Sequence, residues 1–243
     1  MNFMAVFRKE MIEQWRTYRL LVIAAVFAAF GLASPLFAKF TPEMMKAIPG
    51  IPPEIVSAIP APTVADAVAQ YIKNMSQFGI LLALLMTMGV VVQEKERGTA
   101  AFFLTRPVSR ETFLLAKFAA LAAIGCWYYT LILFEALPWG PFLALNGLML
   151  AVFLVYVSLG LLSSTIAHSQ GVAVGLVLLA LILVGGVGSL PGLGDYFPGR
   201  LFGWGAELLS GSGEPAWPAL WVSLGIVALA LTAVVLIFRR QEV

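Results

Sequence analysis

The chain has few of the residues that most proteins use for chemistry and for solubility. Only 12% of its 243 residues are charged, and it has one cysteine, Cys126, and one histidine, His168. Soluble domains carry roughly 25% charged residues. A single cysteine excludes an intrachain disulfide and a cysteine metal cluster, and a formal charge of +2 does not indicate a nucleic-acid partner. We therefore expect no redox, metal or nucleic-acid function.

The motifs of common enzymes are missing as well. No Gly-Lys dipeptide occurs, so the phosphate-binding loop of ATPases is absent, and so are GxSxG and HExxH. His168 follows Ser163 and Ser164 closely, which leaves an intramembrane serine hydrolase as an alternative. A polar helix end at the cytoplasmic interface is the preferred interpretation, and the chain is not expected to be an enzyme by itself.

Long apolar blocks dominate the chain, of which 60% is hydrophobic. A bilayer core of roughly 30 Å needs about 20 residues of helix. The blocks predict one transmembrane domain over residues 1–243, all-α, with spans at 20–38, 76–92, 114–137, 142–166, 171–190 and 219–238. They leave outer loops at 39–75 and 191–218 and a cytoplasmic segment at 93–113. No charge lies in the middle of a span, which argues against a proton or ion path.

Residues 1–19 predict an amphipathic elbow helix lying in the membrane interface. At 100° per residue its apolar side chains share one face, namely Phe3, Met4, Phe7, Met11, Trp15 and Tyr18. The charged residues of this segment lie on the other face. A solvated helical tail is the alternative.

The basic residues predict the orientation. With both termini in the cytoplasm, eleven of the fifteen Lys and Arg residues lie inside, and Lys39, Lys46, Lys73 and Arg200 lie outside. This distribution follows the positive-inside rule for a multi-pass membrane protein.

Two helix starts are predicted in the outer loop 39–75. Thr41 precedes Pro42 at a first helical position, and Thr63 forms a capping box with Asp66. The helix that follows carries a polar stripe up to Gln77 and is expected to continue into the second span. The stripe is expected to face external water, with an exit path for cargo as the alternative.

The segment 93–113 is the most informative part of the chain. Glu94, Glu96 and Arg97 end the second span, and Gly98 terminates its helix. A short amphipathic helix can follow before Pro107 turns the chain. Its composition fits a docking site for a cytoplasmic partner and an ordinary loop equally well.

The order and spacing of this segment resemble the cytoplasmic signature of type 2 ABC exporter permeases, which are small six-helix subunits. The matching residues are Glu94, Glu96, Gly98, Thr99, Leu104, Pro107, Val108, Ser109, Arg110 and Lys117. The resemblance is close over about 25 residues and extends to the rest only in layout, with an elbow helix, six spans and a long first outer loop.

The resemblance implies that the segment is a coupling helix that docks on a separate cytoplasmic ABC ATPase, present in two copies, which binds ATP and Mg. The expected contacts are Glu94, Glu96, Arg97, Gly98, Thr99, Phe102, Phe103, Leu104, Pro107, Val108, Ser109 and Arg110. It also implies a second copy of the permease, for which Gly171 and Gly175 are a candidate dimer face, with packing inside one subunit as the alternative. A membrane anchor or sensor that moves no cargo is the other open interpretation.

Overall fold

The computed structural model describes residues 37–49, 63–87 and 138–240, together with positions 12, 52 and 92. Every regular element within these ranges is helical, which confirms an all-α protein for this part of the chain. The elbow helix 1–19 and the spans 20–38 and 114–137 lie almost entirely outside the described residues. The count of six spans and the side of each terminus remain predictions.

Residues 37–46 are helical, so the helix start predicted at Thr41 and Pro42 is wrong. The Thr41 hydroxyl donates to the carbonyl of Phe37, one turn earlier in the same helix. Proline is favoured at a first helical position because its missing N–H has no partner there. In a later turn it removes one backbone bond and its ring crowds the carbonyl four residues earlier, which a helix can still accommodate at a cost. The dipeptide alone therefore does not locate the start.

Helix α1, Val64–Asn74, begins at the predicted capping box. The Thr63 hydroxyl accepts a hydrogen bond from the Asp66 amide at 3.3 Å, and the Asp66 carboxylate accepts one from the Thr63 amide at 2.8 Å. These bonds satisfy two N–H groups that a helix start leaves without partners.

The capping box predicts an acid-sensitive helix start. Hydrogen bonds from the side chain and backbone of Thr63 hold the pKa of Asp66 below its usual value. The contribution of a carboxylate with a lowered pKa is complete above its usual pKa and is lost as the pH falls through the lowered value. Amide hydrogen exchange in the first turn of α1 should therefore quicken in that acid range, after correction for the intrinsic rate. Asp66→Asn should remove this dependence, and an unchanged profile would contradict the assignment.

A π-helical turn, Met75–Gly79, connects α1 to helix α2, Ile80–Thr87. The polar stripe and the apolar segment after it predict one continuous helix, so this turn was not expected. A π turn closes i→i+5 hydrogen bonds and so holds one more residue than an α turn, which is rare and occurs often at functional sites.

Within the described ranges, three helices are long and apolar enough to cross a membrane: α3, Trp139–Ile166; α4, Gln170–Gly188; and α6, Trp217–Arg240. They occupy the part of the chain for which the last three spans were predicted. Helix α3 is the centre of the described structure, since most of its apolar stretch is buried, whereas only a small part of α4 and of α6 is buried. The helices α2, α4 and α6 pack around α3, and so does helix α5, Arg200–Leu209.

The predicted outer loop 191–218 contains more regular structure than expected. It has a 3₁₀ turn, Gly194–Tyr196, and helix α5, Arg200–Leu209, which packs against the Trp139 end of α3. The glycines and prolines that predicted a loop lie mainly on both sides of α5. Between them, Leu201, Phe202 and Trp204 are buried against the core.

Candidate functional site

The predicted contact residues of segment 93–113 lie outside the described residues, but Val92, directly before this segment, is described. Val92 is fully buried and packs with Ala167 and Ala173. Its amide N–H donates to the Ser164 hydroxyl oxygen at 3.1 Å. Val92 is therefore fixed to the joint between α3 and α4, one residue before Gln93, where the predicted docking segment begins.

A second contact fixes α2 to α3. A Cβ atom placed on Gly160 would lie 2.7 Å from the Cβ of Thr87, so the two helices touch where Gly160 has no side chain. The Thr87 hydroxyl lies 3.0 Å from the Ala83 carbonyl and 3.1 Å from the Leu84 carbonyl, which satisfies it within its own helix. Small residues allow such close approach in membranes, where packing rather than exclusion of water holds helices together.

The hydroxyl groups near the Ile166 end of α3 support helix structure. The Ser163 hydroxyl donates to the Leu159 carbonyl at 2.8 Å, and the Ser164 hydroxyl accepts from Val92 at 3.1 Å. Ser169 caps α4, and His168 is exposed in the joint. A hydrolase needs a serine whose hydroxyl is bonded to its base. These contacts favour the interpretation of a polar helix end.

The Trp139 end of α3 carries a partly buried polar contact that was not predicted from the sequence. The Tyr71 hydroxyl donates to Asn146 Oδ1 at 2.7 Å, and Asn146 Nδ2 donates to the Phe142 carbonyl at 2.8 Å. Tyr71 is only 2% exposed, and its ring lies 6.1 Å from that of Phe142. The sequence places Asn146 near the end of a span, where a group at the membrane interface is expected. No local pattern could have shown that it pairs with a tyrosine 75 residues earlier.

The polar stripe of α1 does not face water throughout. Lys73 and Gln77 are exposed, as expected, but Asn74 is buried and accepts a hydrogen bond from Gln70 Nε2 at 3.4 Å. The stripe therefore divides between the solvent side and the packed side of the helix.

Arg200, predicted as an outer cation, is paired within α5. Its guanidinium donates to the two carboxylate oxygens of Glu207 at 2.8 and 3.1 Å. This bonding raises the pKa of Arg200 above its ordinary value. The pair is partly exposed, so it fixes geometry more than it adds stability.

The candidate dimer face is open in the described structure. Gly171 and Gly175 are exposed, and no described atom lies within 4 Å of a Cβ placed on either. Among the residues of α4, Ala173 and Val177 are buried. The structure thus leaves this face uncovered by the described part of the same chain.

Comparison with known proteins identifies the family of the chain. The family model of the "ABC-2 family transporter protein" matches residues 4–243. The chain is 26% identical over 180 residues to the "Uncharacterized transmembrane protein YxlG" of Bacillus subtilis (strain 168), covering 70% of each protein. It is 28% identical over 192 residues to the "Putative transport permease YvfS" of the same organism, covering 72% of this chain and 78% of the relative. The chain belongs to the ABC-2 family of transporter proteins, and it is a multi-pass membrane protein.

Proposed function

We propose that this chain is the permease subunit of an ABC exporter in a prokaryotic cell membrane, driven by separate ATPase subunits that dock on segment 93–113. Membership of a transporter family supports a role in transport. Because the sequence has no phosphate-binding loop, ATP and Mg are proposed to bind to the partner ATPase. Two copies of the chain and two ATPase subunits form the proposed complex.

The observation that carries the docking proposal is the anchoring of Val92. A segment that transmits movement must be attached firmly to the helices, because a flexible connection at its first residue would let the segment move without them. Val92 is buried, bonded to Ser164 and one residue from the segment, so movement of the segment would reach α3 and α4 directly. An ATPase can drive this movement only if it binds the two permease states with different free energies.

Phe103→Asp tests the docking surface. Phe102, Phe103 and Leu104 form the proposed apolar anchor, and anchors of this kind contribute most of the binding energy of an interface. A tagged wild-type chain isolated from its native host should copurify with an ABC ATPase. The amount of ATPase that copurifies with the variant should be at least about tenfold lower, which corresponds to about 1.4 kcal/mol of binding free energy.

Tyr196→Asp is the matched control, because Tyr196 is an exposed aromatic residue of the predicted outer loop. It should retain the ATPase. Recovery of the same amount of ATPase with Phe103→Asp would argue against docking at this segment, and absence of an ATPase from the wild-type preparation would argue against the exporter complex.

The open glycine face of α4 supports pairing with a second copy. Exposed glycines let two helices approach closely, although small residues are common in membrane helices. Gly175→Leu should shift the detergent-solubilised permease from dimer to monomer, as measured by its mass in light scattering. Gly147→Leu, at an exposed glycine of α3 without described neighbours, is the control and should leave the dimer intact. A dimer that persists in Gly175→Leu would place the interface elsewhere.

A further inference from the structure

The helix from Val64 to Thr87 contacts α3 at two points near opposite ends of α3. At one, the Tyr71 hydroxyl donates to Asn146 at 2.7 Å. At the other, Thr87 meets Gly160 with no room for a Cβ atom. Tyr71 is 2% exposed and Thr87 is fully buried, so both side chains are committed to contacts with the same helix.

A regular α-helix would not present both residues to α3. Tyr71 and Thr87 are sixteen residues apart in the sequence, and at 3.6 residues per turn this separation places them about 160° apart around the helix. The turn Met75–Gly79 lies between them and holds one extra residue. Because the π turn takes up this extra residue, the helix rotates between Tyr71 and Thr87 as a regular helix would over about fifteen residues. The angle between the two side chains around the helix then falls to about 60°.

We infer that the π turn is a register device, which rotates the two halves of this helix so that both contact α3. The two contacts then hold α1, α2 and α3 as one body, and Val92 joins this body to the start of segment 93–113. Motion of that segment would thereby reach α1, at the opposite end of α3. This last consequence rests on the proposed function, whereas the role of the turn in setting the register does not.

Two length variants of the turn test the register. Gln77 is exposed within the π turn, so its deletion removes the extra residue without removing a buried side chain. The shortened helix can be regular and still keep about 60° between Tyr71 and Thr87. Insertion of one alanine after Gln77 instead rotates one half by about 100° relative to the other, which must break at least one contact.

Each contact is detected through the effect of a substitution that removes it. Tyr71→Phe leaves Asn146 without its donor, and Gly160→Ala forces the helices apart. Each should lower the thermal unfolding midpoint of the detergent-solubilised protein by about 2 °C or more in the wild-type background. In the variant that lacks Gln77, both substitutions should still lower the midpoint. In the variant with the inserted alanine, at least one of them should no longer lower it.

The inference is overturned if both substitutions still lower the unfolding midpoint of the insertion variant. It is also overturned if either substitution no longer lowers the midpoint of the deletion variant. The deletion decides the question by itself if the insertion variant does not accumulate in the membrane.

Transmission to α1 is tested in the complex isolated with its ATPase. In a Cys126→Ser background, the exposed residue Ala69 of α1 is replaced by cysteine, and its reaction with N-ethylmaleimide is followed with and without ATP and vanadate. The rate should depend on nucleotide in the wild-type and deletion backgrounds and not after the insertion. A nucleotide-dependent rate in all three would exclude the transmission path. If no ATPase copurifies, the proposed function fails, and the melting experiments still decide the role of the turn.

Discussion

Replacing Gly160 with alanine should destabilise the protein by about 1–3 kcal/mol, the usual cost of adding a methyl group to a packed contact. The new Cβ would lie 2.7 Å from the Cβ of Thr87, far inside van der Waals distance. Rotation about χ1 does not move Cβ, so Thr87 cannot yield by changing its rotamer. The two helices must separate, and we expect the Val92 contact with Ser164 to weaken with them.

The measurement is the unfolding midpoint in detergent, which should fall by about 2–4 °C for each kcal/mol in a chain of this size. Gly147→Ala is the control on the same helix, since Gly147 is exposed and has no described atom within 4 Å of an added Cβ. It should be neutral or stabilising, because alanine is favoured over glycine in a helix by about 1 kcal/mol. Thr87→Gly added to Gly160→Ala should restore part of the loss. Equal midpoints for Gly160→Ala and Gly147→Ala would refute the close contact.

The elements that could be predicted from the sequence are those that a bilayer imposes directly. The helices α3 and α4 contain no Asp, Glu, Lys or Arg, and α6 has only Arg239 and Arg240, at its end. In hydrocarbon such segments must form helices, because the backbone has no water to bond. The start of α1 was predictable for a different reason, since a capping box depends on residues three positions apart.

Helix α5 was missed because its signals conflict. Gly203 and Gly205 lower its helix propensity, and the surrounding glycines and prolines indicate a loop. Its apolar residues Leu201, Trp204 and Leu208 are nevertheless spaced as on one helix face, and that pattern could have revealed it. The π turn had no such signal. It becomes apparent only when the positions buried in α1 and in α2 are known.

The contacts that define the candidate site join residues far apart in the chain. Val92 and Ser164 are 72 residues apart, and the sequence around each is ordinary for the end of a membrane helix. The motif in segment 93–113 indicated where a partner would dock. It carried no information on how that segment is fixed to the helices, because helix packing depends on shape rather than on a local pattern.

Replacing Gly205 with alanine should detach α5 from α3 at a cost of about 1–3 kcal/mol. The added Cβ would lie 3.2 Å from the Cα and 3.3 Å from the Cβ of Leu145, and it would also meet the end of that side chain. Leu145 is fully buried, so its side chain has little space to enter, and contact with its Cα means that the backbones themselves must move. Amide hydrogen exchange across Arg200–Leu209 should rise, and the unfolding midpoint should fall.

Gly203→Ala, two residues earlier in α5, provides the matched control. Its new Cβ would lie 2.8 Å from a terminal nitrogen of Arg200, the far end of a flexible side chain. Arg200 can move by weakening a partly exposed pair with Glu207, which costs at most about 1 kcal/mol. The better helix propensity of alanine offsets much of that cost. Amide hydrogen exchange in α5 should therefore be faster in Gly205→Ala than in Gly203→Ala. Equal protection in both variants would show that α5 does not depend on the close contact with Leu145.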